Sequence, residues 1–420
     1  MKNSIFILAI LLVFCSCNSN EDQEIENLVT LPEVETQSGY DLAIERIMQF
    51  AESLGTPQTR SMNLTGITIL SAEETVYSFE KDSIFKNVRT RTKFNEKNDN
   101  LDLIVYTVAF EKDNKQGFAI ATGDERIKDG VYALVSEGNI SDTIYNKGMK
   151  MAIKNIEEIC ENDLAHYYSM DKKSTTTYSY NPTTLIVYPL TGLEWNQTAP
   201  FNNLIPYSCS NIYWTYCGKA PTGCTAIAYA QVLAYLAPPS IETSYDLPTL
   251  RSTQYHSGYP TMPTQASATK VARFVLAVSS WVSTSYACNG SSAPIKNVRG
   301  KLDELGIKYD YKEENADLSK IAYNIKNGYP HVSSGVDKDK KSGHAWMYEG
   351  IHCYQIGEDP NAGKIAFASG KRILLYCNWG WGGSSNGWYA DHERPTNDAF
   401  ETISWYVAES KQLYIKGKTY

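Results

Sequence analysis

Cys224 lies where a helix is predicted to begin, and this position favours the reactive thiolate form of a cysteine. Residues 221–223, Pro-Thr-Gly, precede it, and the apolar run 226–236 that follows is typical of a buried helix ended by Pro238 and Pro239. The free N–H groups and the positive end of the helix dipole at such a position lower the pKa of a thiol. A lone cysteine before a helix is more often a packing residue. Residues further along the chain are therefore needed to distinguish a nucleophile from a packing residue.

Two downstream blocks supply the partners that a nucleophilic thiol needs. His344 follows Gly343 at the start of a predicted strand, and Asn378 opens a Trp-Gly-Trp-Gly-Gly run that ends at Gly383. A thiol nucleophile needs a base within hydrogen-bond reach and a third group that orients that base. Each block alone has a structural explanation, as a strand residue or as a packed turn. Cysteine, histidine and asparagine together in this order indicate the chemistry of a thiol protease.

The same blocks resemble the streptopain-like cysteine proteases, a bacterial branch of the papain-like fold. The resemblance is carried by Trp195-Asn196-Gln197 with Pro200-Phe201-Asn202, by Thr222-Gly223-Cys224-Thr225-Ala226 with Ala230-Gln231, by Gly343-His344-Ala345, and by Asn378-Trp379-Gly380-Trp381-Gly382-Gly383. It implies that Cys224 is the nucleophile and His344 the general base.

The resemblance also implies roles for three supporting residues. Gln197 would donate its amide to the oxyanion together with the backbone N–H of Cys224. Asn378 and Trp379 would orient and shield the ring of His344. The backbone of this turn is an alternative source of the hydrogen bond to the histidine.

The N-terminus predicts export. Lys2 and the apolar stretch 5–14 form a signal sequence too short to span a bilayer. Ser16 before Cys17 is the pattern of a bacterial lipoprotein signal, so residues 1–16 are the predicted signal peptide and Cys17 the predicted lipidated residue. Cys15 fits less well because bulky Phe14 precedes it. We expect a lipoprotein of the outer membrane or cell surface, with release after maturation as a further option.

The rest of the chain has the layout of a zymogen. We predict a tether over 17–39, a small α+β propeptide domain over 40–170, a linker containing the activation cleavage over 171–183, and a catalytic domain over 184–420. In the propeptide domain we predict helices at 40–54 and 149–168 and strands at 101–110, 117–121 and 131–135. Part of this region also resembles the family's propeptide. An accessory domain that stays attached is the alternative.

The predicted fold class of the chain is α+β, and the catalytic domain is expected to be papain-like and two-lobed. A strand at 184–190 opens it. The predicted helices are 226–236, 266–286, 295–305 and 318–326, and the later strands are 331–336, 344–354, 364–368, 373–378, 387–390 and 401–407. Helices followed by an antiparallel sheet suggest a helical lobe that supplies the thiol and a sheet lobe that supplies the imidazole.

Composition limits the possible partners and cofactors. The chain has 420 residues, 42% apolar and 20% charged, and a net charge of −8 without a clustered basic patch, which argues against nucleic acid as a partner. It lacks Cys-x-x-Cys and His-Glu-x-x-His, so we expect no metal and no cofactor.

Six cysteines remain after Cys15, Cys17 and Cys224 are set aside. They are Cys160, Cys209, Cys217, Cys288, Cys353 and Cys377. In an exported chain they allow disulfides, with Cys209 and Cys217 as the best local pair, or else they are free buried thiols.

The sequence therefore predicts an exported cysteine endopeptidase made as a zymogen, which cleaves peptide bonds through a thioester. Its expected partners are a protein or peptide substrate, its own propeptide as an inhibitor, and the membrane through the lipid on Cys17. The alternatives are an amidase or acyl transferase with the same Cys-His pair, an inactive protease-like binding protein, and a surface adhesion protein.

Overall fold

The computed structural model describes residues 38–55, 66–85, 101–169, 182–210, 218–252, 254–256, 259–261, 265–336, 343–368, 371–391, 394–395, 402–403 and 409–420. All of them belong to one unit, Ser38–Tyr420. The predicted signal peptide with Cys17, the tether up to residue 37, most of the predicted linker, and Cys217 lie outside the described residues. Among the helices that are described, none has both the length and the apolarity needed to cross a membrane.

Residues 38–169, called here the N-terminal segment, form helices packed on antiparallel strands. The helices are α1 (Gly39–Ser53), α2 (Lys81–Phe85), α3 (Lys147–Lys154) and α4 (Ile156–Ser169), with a short 3₁₀ helix at Ile140–Ile144. The strands are β1 (Thr68–Ser78), β2 (Asp102–Lys112), β3 (Lys115–Ala121) and β4 (Val131–Val135). The Ser38 hydroxyl caps α1 by accepting the N–H of Asp41 at 3.1 Å. Asp113 and Asn114, both at positive φ, form the tight turn between β2 and β3.

The remaining elements follow in the order that the sequence predicts, helices before most strands. The helices are α5 (Cys224–Leu236), α6 (Pro239–Tyr245), α7 (Leu247–Arg251), α8 (Gln265–Trp281), α9 (Arg299–Glu304) and α10 (Leu318–Lys326), with a 3₁₀ helix at Ile295–Val298. The strands are β5 (Thr183–Val187), β6 (Gln254–His256), β7 (Tyr259–Thr261), β8 (Ile307–Lys312), β9 (His331–Val336), β10 (Gly343–Asp359), β11 (Lys364–Phe367), β12 (Ile373–Asn378), β13 (Gly387–Asp391), β14 (Arg394–Pro395), β15 (Thr402–Ile403) and β16 (Glu409–Lys418).

Several boundaries differ from the prediction. The helix expected over 149–168 is two helices, α3 and α4, which meet at Asn155. Strands β1, β8 and β16 were not predicted. Of the strand expected over 401–407, residues 402–403 form β15, and the other residues lie outside the described part of the chain.

One antiparallel sheet joins the N-terminal segment to the rest of the chain. Its order is β1-β2-β3-β4-β13-β12-β10-β9-β16-β8, and β5 and β11 also pair with β10. The junction is β4 with β13, where Leu134 pairs with Trp388 and Ala133 with Tyr389. This mixture of helices and antiparallel sheet confirms the predicted α+β class.

Helix α5 is buried on nearly every side, which fixes the position of its first residue. It packs against α8 and β10, and its core neighbours include Trp195, Phe274 and Met347. Each fully buried large apolar side chain contributes about 1.5–3 kcal/mol. The start of α5 is therefore held firmly against the strand that begins with Gly343 and His344.

The cysteines pair differently from the local prediction. Cys209 is bonded to Cys288, which is 79 residues away in sequence, so the predicted pairing of Cys209 with Cys217 was wrong. The fold places both cysteines in one small apolar cluster with Ile205. Cys160, Cys353 and Cys377 are buried and form no disulfide.

Candidate active site

Cys224 is the first residue of α5, and the residue before it must be small. Gly223 has φ +90°, and a Cβ built there would lie 3.1 Å from the carbonyl oxygen of Ser291. Glycine adopts this backbone conformation without strain. The resulting turn brings the Cys224 side chain to the start of the helix, where backbone N–H groups are free to donate.

The surroundings of Cys224 favour its thiolate. Its Sγ accepts the backbone N–H of Ala345 at 3.3 Å. Burial alone would raise the pKa of the thiol, but the charge of His344 and its hydrogen bond act in the opposite direction. Together with the N–H donors of Ala345 and Thr225, they hold the pKa of Cys224 below its ordinary value.

His344 is held by a backbone carbonyl that determines which ring nitrogen carries the proton. Nε2 lies 2.9 Å from the carbonyl oxygen of Trp379. A carbonyl oxygen only accepts, so Nε2 must donate, and in the neutral ring Nδ1 is then the unprotonated nitrogen available to the Cys224 thiol.

Tryptophan rings surround the histidine. The ring centroids of Trp346, Trp379 and Trp381 lie 6.4–6.5 Å from that of His344. Trp379 is itself fixed, because its indole N–H donates to the carbonyl of Ser385 at 2.9 Å. Such apolar walls exclude water and strengthen the electrostatic interaction of the imidazole with the thiol.

Gln197 has a buried side-chain amide whose N–H donors are unpaired within the described residues. Its side chain is 4% exposed, and its Nε2 has no hydrogen-bond partner within the described part of the chain. Its backbone carbonyl accepts the N–H of Thr222 at 2.9 Å. This hydrogen bond connects Gln197 to the loop that precedes Cys224. A buried donor left unpaired costs about 1–3 kcal/mol. An oxyanion on a bound substrate would satisfy it.

The Asn378 side chain makes its hydrogen bonds to groups other than His344. Its Nδ2 donates to the carbonyl of Leu193 at 2.7 Å, to Glu349 Oε1 at 2.9 Å and to Gln231 Oε1 at 3.2 Å. Its Oδ1 accepts the N–H of Gly380 at 3.1 Å. Asn378 therefore braces the turn, and the backbone of that turn holds the histidine, as the alternative interpretation of the sequence suggested.

Three groups of the site were not assigned a role from the sequence, although Ala345 and Gln231 lie in the blocks that carry the family resemblance. They are the N–H of Ala345, which donates to the thiol, and the buried side chains of Gln231 and Glu349. A signal did exist for the last two. Gln231 interrupts the apolar run of α5, and Glu349 is the only acidic residue in the first eleven of β10.

The N-terminal segment contacts the site directly. A Cβ built at Gly148 in α3 would lie 2.5 Å from Cε3 of Trp379 and 2.7 Å from Cδ2 of His344. Nearby, Asp142 accepts hydrogen bonds from the hydroxyls of Ser384 and Ser385, at 3.1 Å and 2.6 Å. α3 thus lies against the histidine and its tryptophan cover.

Comparison with known proteins assigns this region to a family. A search of curated proteins found no match. The family model described as "Peptidase C10 family" matches residues 195–389, a span that begins just before Gln197 and includes Cys224, His344 and Asn378. The match agrees with the resemblance to the streptopain-like cysteine proteases. It implies a peptidase of the cysteine type, whose substrates are proteins or peptides. Residues 195–389 of this chain therefore match the Peptidase C10 family.

Proposed function

We propose that the protein is a cysteine endopeptidase in which Cys224 is the nucleophile and His344 the general base. The observation that carries this proposal is the thiol itself. It sits at the start of a buried helix, with its pKa lowered by His344 and by two backbone N–H donors. A thiolate paired with an imidazolium is the resting form that nucleophilic attack on a peptide carbonyl requires.

The proposed mechanism uses each group in turn. The thiolate of Cys224 attacks the carbonyl carbon, and the oxyanion accepts hydrogen bonds from Gln197 Nε2 and the backbone N–H of Cys224. His344 then transfers a proton to the leaving amine, which departs and leaves a thioester. A water molecule, deprotonated by His344, hydrolyses the thioester and frees the thiol.

A two-lobed, papain-like arrangement is our proposal for the catalytic domain. It is supported by two separate groups of core residues. One surrounds α5 and α8, and the other lies under strands β10–β12. Cys224 comes from the first group and His344 lies on the strand that borders it. A substrate would then bind across the boundary where the two side chains meet.

The N-terminal segment is proposed to be an inhibitory propeptide. Its helix α3 lies against His344 and Trp379 through Gly148, where even a methyl group has no room. A ladder pairing of β4 with β13 and the hydrogen bonds of Asp142 attach the segment to the strands and turn behind the histidine. Cleavage in the linker predicted at 171–183 would separate this cover from the enzyme.

Export and lipid anchoring through Cys17 remain proposals from the sequence. The disulfide between Cys209 and Cys288 supports an oxidising location, because such bonds persist mainly outside the cytosol. Palmitate labelling of the full chain, with Cys17→Ala as the control, tests the anchor. Equal labelling of both proteins would refute it.

The test of activity is hydrolysis of denatured casein under reducing conditions by the full-length chain and by Cys224→Ala. We expect the wild type to lose an N-terminal piece and degrade casein, while the variant does neither. Intact casein together with covalent labelling of Cys224 by an irreversible thiol-protease inhibitor would point to an amidase or acyl transferase. Absence of both reactions would refute an enzyme at this site.

A further inference from the structure

A buried polar network lies behind the catalytic side chains and joins the segments that carry them. Gln231 is on α5, two turns after Cys224. Its Oε1 accepts the N–H of Trp195 at 3.1 Å and Nδ2 of Asn378 at 3.2 Å. Trp195 is two residues before Gln197. One amide side chain therefore links the helix of the nucleophile, the segment of the oxyanion donor and the turn that holds the histidine.

Glu349 anchors the other side of this network. It lies on β10, the strand that begins beside His344, and is 1% exposed. One carboxylate oxygen accepts Asn378 Nδ2 at 2.9 Å, and the other accepts the backbone N–H and the hydroxyl of Thr191 at 2.8 Å and 2.5 Å. Every partner of Glu349 named here is a donor, so the carboxyl acts as an acceptor and its hydrogen-bond partners have fixed orientations.

Burying Glu349 is unfavourable for its charged form. Burial raises its pKa, and the hydrogen bonds from Thr191 and Asn378 counteract this only in part. Replacing a buried charge with an apolar residue of similar size is often neutral or stabilising. A role in stability alone therefore does not account for a carboxylate at this position.

The network reaches the histidine through the backbone of the turn. The Oδ1 of Asn378 accepts the N–H of Gly380, and these two residues flank Trp379, whose carbonyl accepts Nε2 of His344. The same turn is hydrogen-bonded to the segment that carries Gln197, since the N–H of Gly382 donates to the carbonyl of Trp195 at 3.0 Å.

We propose that Gln231 and Glu349 are positioning residues, which act through Asn378 to align Cys224, His344 and Gln197. Glu349 orients the Asn378 amide, Asn378 sets the carbonyl of Trp379, and that carbonyl holds the tautomer and angle of the imidazole. Gln231 fixes the position of the same turn relative to the Cys224 thiol and to the Gln197 amide. This inference rests on the proposed function, because it assigns a role toward that set of residues.

The test is the pH dependence of Cys224 alkylation by iodoacetamide in the full-length chain, followed by mass spectrometry of the peptide that contains Cys224. In Glu349→Gln, one carboxylate oxygen becomes an NH2 group that faces a donor, either Asn378 Nδ2 or the N–H of Thr191, so the hydrogen bonds that orient Asn378 are weakened. We expect the pKa of the thiol to rise by about one unit, so that alkylation slows about tenfold at pH values below the pKa of the wild-type thiol. Thr191→Val, which removes one hydrogen bond to Glu349, should give a smaller change in the same direction.

Gln412→Glu is the matched control. Gln412 is fully buried on β16 and accepts hydrogen bonds from His331 at 2.7 Å and Ser333 at 2.5 Å, so the substitution is an equally isosteric exchange outside the network. Its alkylation profile should match the wild type. Thermal unfolding of all variants reports any general loss of stability.

The possible outcomes separate the two proposals. A folded Glu349→Gln protein with a wild-type profile, or equal shifts in Glu349→Gln and Gln412→Glu, would overturn the network. If Glu349→Gln does not fold, Thr191→Val is the deciding variant, and a wild-type alkylation profile in Thr191→Val would overturn the network. A wild-type thiol with ordinary reactivity would instead overturn the proposed function.

Discussion

Gly148→Ala should loosen the contact of α3 with the catalytic histidine. The added methyl carbon would lie 2.5–2.7 Å from ring atoms of Trp379 and His344, closer than carbon atoms can pack. Both rings are buried and held by hydrogen bonds at 2.9 Å, so they have little freedom to move away. The strain is relieved most easily if α3 shifts, which would open access to the thiol.

The magnitude follows from the cost of an overpacked contact. Inserting a methyl group into a packed site costs about 1–3 kcal/mol, and about 1.4 kcal/mol corresponds to a factor of ten in an equilibrium constant. The fraction of precursor with α3 displaced should therefore rise roughly 5- to 150-fold. Alanine also favours a helix over glycine by about 1 kcal/mol, but this gain applies to α3 in both positions and largely cancels.

The assay is the initial rate at which an irreversible peptidyl inhibitor labels Cys224 in the uncleaved precursor. Its rate should rise with the displaced fraction, because a peptidyl group has to enter the site. The control is Gly300→Ala in α9, where a built Cβ has no atom within 4 Å. If Gly148→Ala labels no faster than Gly300→Ala, the contact of α3 does not limit access and the reasoning is refuted.

Three further predictions concern the oxyanion, acid stability and the disulfide. Gln197→Ala should lower kcat about 100-fold or more with a smaller effect on KM, because the lost donor acts mainly in the transition state; steady-state kinetics on a peptide substrate measures this. Burial lowers the pKa of His352 to about 4. Between pH 6.5 and 4 the histidine is therefore protonated in the unfolded chain but neutral in the folded one, and the free energy of unfolding falls as the pH falls. His352→Phe should reduce this dependence by about 1.4 kcal/mol per pH unit, measured by urea unfolding. Replacing Cys209 and Cys288 by serine should cost about 4 kcal/mol, since the bond closes a long loop.

Each of these predictions has a result that would contradict it. For Gln197→Ala, a change confined to KM would mean that the amide binds the ground state and the transition state equally. An unchanged pH slope in His352→Phe would show that the neutral ring is not what makes acid destabilising. For the serine pair, a wild-type unfolding free energy in the absence of reductant would mean that the bond adds no stability.

The parts of the site that local chemistry encodes could be predicted from the sequence. The small residues before Cys224, the apolar run after it and the prolines that end that run act within one helix, and the structure begins α5 at Cys224. The blocks around Gln197 and His344 were recognisable for the same reason. The resemblance that they carry agrees with the family match over residues 195–389.

Long-range pairing could not be predicted. Strand β16, at the very C-terminus, lies between β9 and β8 inside the sheet, and nothing within its own ten residues specifies those neighbours. The apolar spacing over 149–168 predicts one continuous helix, yet α3 ends at Lys154 and α4 begins at Ile156. In the same way, Cys209 forms its disulfide with Cys288, 79 residues away in sequence, and not with the nearer Cys217.

The sequence by itself determined which residue types carry the chemistry, because a nucleophile, a base and an oxyanion donor require particular side chains in recognisable local settings. Only the tertiary structure decided how they are held. It gave the histidine a backbone carbonyl from Trp379, and it placed Asn378 with Gln231 and Glu349 behind that carbonyl. These contacts join residues 29 to 147 positions apart in the sequence, and hydrogen bonds of that kind depend on packing and burial that no local pattern encodes.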